Sequence, residues 1–275
     1  MNAKLKEAAS TVMSEATPSY PQQGTRVVSA SKRNLLPNGR LIKDGVLLFV
    51  HAHPDDETSS TGATMAAYAR EGAKVHLLTL TRGEMGEVIP EDLKHLQVGD
   101  PECTDNGEAL GEYRTSELVA ASRTLGVASR FYLGQAPATA PGTRKIYRDS
   151  GMVWGEGGKP APNPKASSDS LTAEPIEPQA QAIANAIRSI KPDALITYDA
   201  DGGYGHPDHV RTHRAVMQAL SLLKSSQKPV LVWGIEGEFD ETDKRTQAAI
   251  YGSTTAKRKA MREYGTQIVV TGDDT

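Results

Sequence analysis

The stretch GVLLFVHAHPDDE, residues 45–57, constrains the fold more than any other part of the chain. Its apolar run from Val46 to Val50 is bounded by Gly45 and by His53-Pro54, and reads as a strand buried on both faces. The next segment, TGATMAAYAREGA at 61–73, repeats its apolar residues at helical spacing and stops at Gly72. KVHLLTLT at 74–81 is then a second buried strand. Strand, helix and strand at this length make a parallel pair joined by a right-handed crossover. The alternation continues with helices over 109–127, 177–190, 206–223 and 254–265, and strands over 130–134, 193–199 and 230–236. QIVV at 267–270 fits a last edge strand. This order predicts a Rossmann-like α/β fold, a mostly parallel sheet with helices on both faces.

The 275 residues suit one such domain over 45–275, preceded by an extended N-terminal arm over 1–44 with one short helix. A long surface excursion at about 135–175, rich in Pro, Gly and Ser, interrupts the domain. A net charge of -3 excludes a dedicated nucleic-acid or membrane-surface binder. Cys103 is the only cysteine, so neither an intrachain disulfide nor a thiolate cluster can form. With no secretory apolar core and no bilayer-length apolar run, this points to a reducing, cytoplasmic setting.

Ligands of open α/β sheets sit beyond the carboxyl ends of the strands. Two polar clusters fall at such ends: His51 to Glu57 after the first strand, and Tyr204 to His209 after the strand at 193–199. Five of the seven histidines, His51, His53, His206, His209 and His213, lie in or beside them. A zinc ion prefers nitrogen and carboxylate ligands, and a catalytic one keeps a position open for water. His53 and Asp56 stand three residues apart across a proline turn, and His209 from the second cluster completes a His, Asp, His set. The same set suits Fe²⁺. Asp55 is then placed as general base beside the water that the metal activates. His206 faces it as donor to an oxyanion or to the leaving amine, and Asp208 orients His206. The remaining histidines, His51, His213, His76 and His95, read as structural, as does Cys103.

The pair AHPDDE and GHPDH resembles the LmbE-like (PIG-L-like) N-acetylglucosaminyl deacetylases over about residues 45–270. The resemblance implies the same metal ligands, His53, Asp56 and His209, the same base, Asp55, and electrostatic help from His206 with Asp208. The tracts GEMGEVI, GEYRTSEL, YRDSGM and ITYDADGGYGHPDH look like the mycothiol-pathway branch, whose deacetylase acts on N-acetylglucosaminyl-inositol and whose sister amidase cleaves mycothiol S-conjugates. That likeness implies sugar contacts from Arg114 and Asp149, a pocket wall at Met152, and a mobile Tyr204 that helps hold the oxyanion. From the residues themselves, Arg114 and Glu117 also fit a surface ion pair on a helix. Tyr147 and Trp154 flank Asp149 and offer faces for a sugar, with loop anchoring the plainer role for Trp154. The excursion departs from the branch around YRDSGM and bears on the substrate more than on the chemistry.

The expected partner is therefore a small acetylated amino sugar, with no nucleic acid and no membrane. A natural-product sugar is the alternative substrate, and the S-conjugate amidase the alternative enzyme. From a different class, an Asp pair after the first strand also suits a phospho-accepting receiver domain with Mg²⁺. That reading leaves His53, His206 and His209 without a role.

Overall fold

The computed structural model describes residues 10–15, 34–236 and 247–271, with 10–15, 236 and 247–251 described by their backbone alone. In chain order the strands are β1 (Ser10–Glu15), β2 (Val46–His51), β3 (Lys74–Thr79), β4 (Ser129–Tyr132), β5 (Met152–Trp154), β6 (Pro160–Pro162), β7 (Ala194–Tyr198), β8 (Leu231–Glu236) and β9 (Gln247–Tyr251). The α-helices are α1 (Gly62–Arg70), α2 (Glu108–Leu125), α3 (Ile176–Ile190), α4 (Pro207–Ser221) and α5 (Thr254–Arg262).

Seven strands form one sheet in the order β4-β3-β2-β7-β8-β1-β9. From β4 to β8 every pair is parallel; β1 pairs antiparallel with both β8 and β9. The expected α/β architecture is thus present, with a short antiparallel extension at one side. Alternate residues of each strand feed two cores. Leu47, Phe49, Val75, Leu77 and Ile196 pack with Met65, Tyr68, Leu118 and Ala260 on one face. Leu48, Val50, Leu78, Leu195 and Val232 pack with Ile183, Ile187, Val216 and Leu220 on the other. Burial on both faces explains why these strands read as continuous apolar runs without alternation.

From β2 the chain runs outward through β3 and β4, then returns to lay β7 on the other side of β2. The order therefore reverses between β2 and β7, and a crevice opens beyond their carboxyl ends. Both histidine clusters leave the sheet there.

Two segments differ from their sequence reading. Within the expected arm, Ser10–Glu15 pairs in the sheet, and Leu35 and Leu36 are buried in the first core. The Trp233 indole donates to the Leu35 carbonyl at 2.9 Å, and the Leu35 amide donates to the Tyr68 hydroxyl at 2.6 Å. Residues 1–9 and 16–33 of that arm lie outside the described residues. QIVV is not a strand: the amides of Gln267 and Ile268 bond back to the Tyr264 carbonyl, so the segment curls around the end of α5.

Candidate active site

The chain after β2 turns sharply. Asp55 adopts φ 99°, a left-handed conformation that costs a non-glycine residue energy and concentrates at functional sites. Neighbours hold it there. Its amide donates to Glu57 Oε2 at 3.1 Å, and Arg114 donates to the Pro54 carbonyl at 2.5 Å and to Asp55 Oδ2 at 3.0 Å. One turn of π-helix, Glu57–Thr61, then leads into α1; such turns recur at functional sites. The buried Glu57 carboxylate also accepts from Tyr264 Oη at 2.7 Å. Burial lifts its pKa to about 7.

The second cluster opens α4. His206 is the N-cap residue, with Pro207 in the first turn where proline lacks nothing the helix needs. Its Nδ1 accepts from the Asp208 amide at 3.1 Å, so in the neutral ring the proton sits on Nε2. His209, one turn on, places Nδ1 3.1 Å from the Gly202 carbonyl. That contact assigns the proton to Nδ1 and leaves Nε2 with a lone pair. Gly202 has φ 71°, and a Cβ there would stand 2.8 Å from the Cβ of His209, so only glycine permits this approach.

His53, Asp56 and His209 converge. Asp56 Oδ2 is 3.2 Å from His53 Nδ1, and Asp56 Oδ1 is 3.3 Å from His209 Nε2. Ligands held tetrahedrally at the usual zinc distances stand about 3.4 Å apart; each separation is of that size, His53 facing one oxygen of Asp56 and His209 the other. His53 Nε2 faces Asp208 Oδ2 at 3.2 Å, which assigns the ring proton there and frees Nδ1. His209 Nε2 is buried with no hydrogen-bond partner. Lone pairs of two acceptors 3.3 Å apart need a positive charge between them. The residues present therefore fit a divalent cation. Nitrogens of His53, His206 and His209 lie within 4.8 Å of one another, as do ligand atoms of His53, Asp149 and Asp208. In the latter set Asp208 Oδ2 accepts from the Ser150 amide and Asp149 from the amides of Met85 and Gly151, while Asp208 Oδ1 is buried with no hydrogen-bond partner.

The electrostatics favour positive charge at this point. Burial would depress the pKa of His53, but Asp149, Asp208 and Asp56 outweigh it and hold the ring well above its usual range. Burial would raise Asp56, but His209 and His53 keep it well below the usual carboxylate range. Asp55 behaves differently: burial, reinforced by Asp56, lifts it to about 6 against the opposing pull of Arg114. Burial, with His53 and His209 beside it, lowers His206 to about 3, which keeps its ring neutral.

Tyr204 stands over the two α4 histidines, its ring centroid 6.1 Å from that of His206 and 5.2 Å from that of His209. It is 55 % exposed. Asp149 Oδ1 lies 3.5 Å from His53 Nε2. Met152, half-buried, begins β5 just beyond it. The structure thus gathers His53, Asp55, Asp56, Asp149, Tyr204, His206, Asp208 and His209 at one crevice, and brings Arg114 behind Asp55.

Three expectations need correction. The Asp208 carboxylate contacts His53, not His206; only its backbone amide reaches His206, because the start of α4 turns the side chain inward. Arg114 and Glu117 do not form a surface pair. Both are buried: Arg114 serves Pro54, Asp55 and Gly83, while Glu117 accepts from the Thr266 amide and hydroxyl. Trp154 does not anchor its loop, being 66 % exposed, whereas Tyr147 is buried in the second core. His51 and His213 take the structural places expected, against Thr61 Oγ1 and the Tyr198 carbonyl.

Sequence reasoning missed Tyr198, whose hydroxyl donates to Asp56 Oδ2 at 2.7 Å while accepting from the Ala52 amide. It also missed Glu84, fully buried between the Arg82 guanidinium and the Asp149 amide. Their signals were a tyrosine at the end of β7 and an acidic residue just beyond β3, both at the carboxyl edge of the sheet.

An open parallel sheet with a buried histidine–carboxylate cluster at its switch point defines an α/β protein with a cluster able to coordinate a metal ion. More particularly, the chain belongs to the PIG-L family, described as GlcNAc-PI de-N-acetylase, whose profile matches residues 48–220. It is 49 % identical over 183 residues, 66 % of this chain and 46 % of the relative, to a 1D-myo-inositol 2-acetamido-2-deoxy-alpha-D-glucopyranoside deacetylase of Kineococcus radiotolerans. A protein of the same name from Streptomyces avermitilis is 46 % identical over 181 residues, 66 % of this chain and 54 % of that one. The chain thus spans about half the length of the curated relatives it matches. Among solved structures, an N,N'-diacetylchitobiose deacetylase from Pyrococcus horikoshii aligns over 82 % of this chain and 73 % of its own, with 19 % identity and a TM-score of 0.46.

Proposed function

We propose that this chain hydrolyses the acetamide of an N-acetylglucosamine unit, with a divalent cation, zinc first, held by His53, Asp56 and His209. The single observation that carries the reading is the geometry of those three side chains around the unpartnered His209 Nε2. When bound, the metal lowers the pKa of water and polarises the acetamide carbonyl.

The chain's own residues supply the rest. Asp55, with its pKa near 6, takes the proton of the attacking water and is ionised at neutral pH. Arg114 fixes the Asp55 carboxylate and the turn that carries it. His206, neutral and protonated on Nε2, donates to the oxyanion, and Tyr204 adds a hydroxyl from the rim. Asp208 orients His53 for its ligand role, and Asp149 lines the pocket next to it.

The names of the relatives make N-acetylglucosaminyl-inositol, the mycothiol precursor, the first substrate to try. Acetate release from that compound, set against free N-acetylglucosamine and a mycothiol S-conjugate, tests the reading. Acetate from the inositol conjugate upholds it; cleavage of the S-conjugate alone makes the chain an amidase. Among the described residues no helix is long and apolar enough to cross a membrane.

A further inference from the structure

The β5–β6 hairpin carries an apolar face that the chemistry above does not use. Trp154 pairs with Pro160 and Met152 with Pro162. Directly opposed residues of an antiparallel pair project on the same side, so these four form one surface while Val153 and Ala161 form the other. Pro160 orients that surface: its ring atoms lie 3.9–4.0 Å from where a Cβ on Gly205 would stand. Gly205 sits between Tyr204 and His206, at the mouth of the crevice. The start of the hairpin is fixed as well. Three residues before Met152, Asp149 lies beside His53, and the next amide, Ser150, donates to Asp208. The apolar face is therefore continuous with the crevice wall, and Trp154 is 66 % exposed upon it.

We propose that this face is a subsite for the part of the substrate beyond the acetylated ring, and that it favours N-acetylglucosaminides whose aglycone presents an apolar or aromatic plane. The inference rests on the deacetylase reading of the adjoining crevice. Among the four side chains the only hydrogen-bond donor is the Trp154 indole N–H. A polyol laid here leaves hydroxyls without partners and gains nothing for losing its water. A flat apolar group instead stacks on the indole and releases water from both. An inositol aglycone then finds no matching partner on this face, although its acetamide still reaches the metal site.

The test uses the zinc-loaded full chain with the benzyl and methyl glycosides of N-acetylglucosamine. The benzyl glycoside has the higher kcat/KM, by about tenfold and through KM. Trp154→Ala brings the two glycosides to near equality, and Trp154→Phe restores part of the difference. Equal kcat/KM for the two glycosides in the parent, or a preference that survives Trp154→Ala, overturns the proposal. A second readout does not depend on turnover. The chain has two tryptophans, and Trp233 is fully buried, so solvent-exposed emission comes from Trp154. The benzyl glycoside shifts that emission to the blue and the methyl glycoside does not. A shift without acetate from any substrate keeps the subsite and removes the deacetylase reading. No shift at saturating benzyl glycoside, or an emission that is already blue because copies of the chain pair through this face, overturns the subsite.

Discussion

The carboxyl edge of the sheet and the β5–β6 hairpin form two sides of one crevice and are built in opposite ways. At the sheet edge several side chains are each held by two neighbours, while His209 Nε2 and Asp208 Oδ1 are left without a hydrogen-bond partner. Asp56 is fixed by Tyr198 and the His53 amide, His53 by Asp56 and Asp208, and Asp55 by Glu57 and Arg114. The hairpin has three residues per strand and shows solvent an indole. Chemistry needs groups fixed to within a fraction of an ångström, and buried networks supply that. Recognition of a variable aglycone needs only a surface of the right character. On the proposed reading the reaction belongs to the sheet edge and substrate choice to the hairpin, so substitutions on the two sides fail differently.

The largest effects fall on the metal ligands. His209→Ala or Asp56→Ala abolishes both zinc retention and acetate release, read by metal analysis and a deacetylation assay; full activity with stoichiometric zinc in either variant breaks the assignment. Asp208→Asn weakens zinc affinity by about 10–100-fold, because His53 loses the carboxylate that sets its tautomer. A chelator competition curve measures it, and an unchanged curve leaves Asp208 without that role.

A subtler effect tests Arg114. The base works when ionised, so kcat/KM falls as pH drops through about 6, the value to which burial lifts Asp55. Arg114 opposes that lift, so Arg114→Met moves the acid limb to higher pH. A pH–rate profile reads the shift; a limb that stays in place shows that the guanidinium does not act on Asp55.

The smallest effect is on stability. Burial lifts Glu57 to about 7, so the fold favours its neutral form. Its contribution is full below the unfolded carboxyl's pKa of about 4.3 and is lost as pH rises through 7. Glu57→Gln removes that loss, so the fall in Tm between about pH 4.5 and pH 7.5 is shallower in the variant than in the parent. An equally steep fall in both excludes Glu57 as its source.

The sequence made the strand–helix alternation and both histidine clusters legible because each rests on local pattern: apolar runs, turn residues, and histidines at strand ends. What it did not reveal depends on distant partners. Helical spacing placed Arg114 and Glu117 on one face of α2, but the Pro54 carbonyl and Thr266 that bury them come from far along the chain. The inward turn of Asp208 follows from the geometry at the start of α4, where His206 caps the helix with its ring. Trp154 reads as an anchor in one dimension, and only the pairing with Pro160 sets it on the face of the hairpin that Pro160 shares. The strand Ser10–Glu15 lies in a mixed, polar stretch and becomes a strand only against β8 and β9.

One measurement tests the central claim most directly: zinc content and acetate release from N-acetylglucosaminyl-inositol for the parent and for Asp55→Asn. The account predicts equal zinc in both proteins and a loss of about 10²–10⁴-fold in kcat in the variant. Zinc retained with activity near that of the parent would contradict it, because the proton would then be taken by some group other than Asp55.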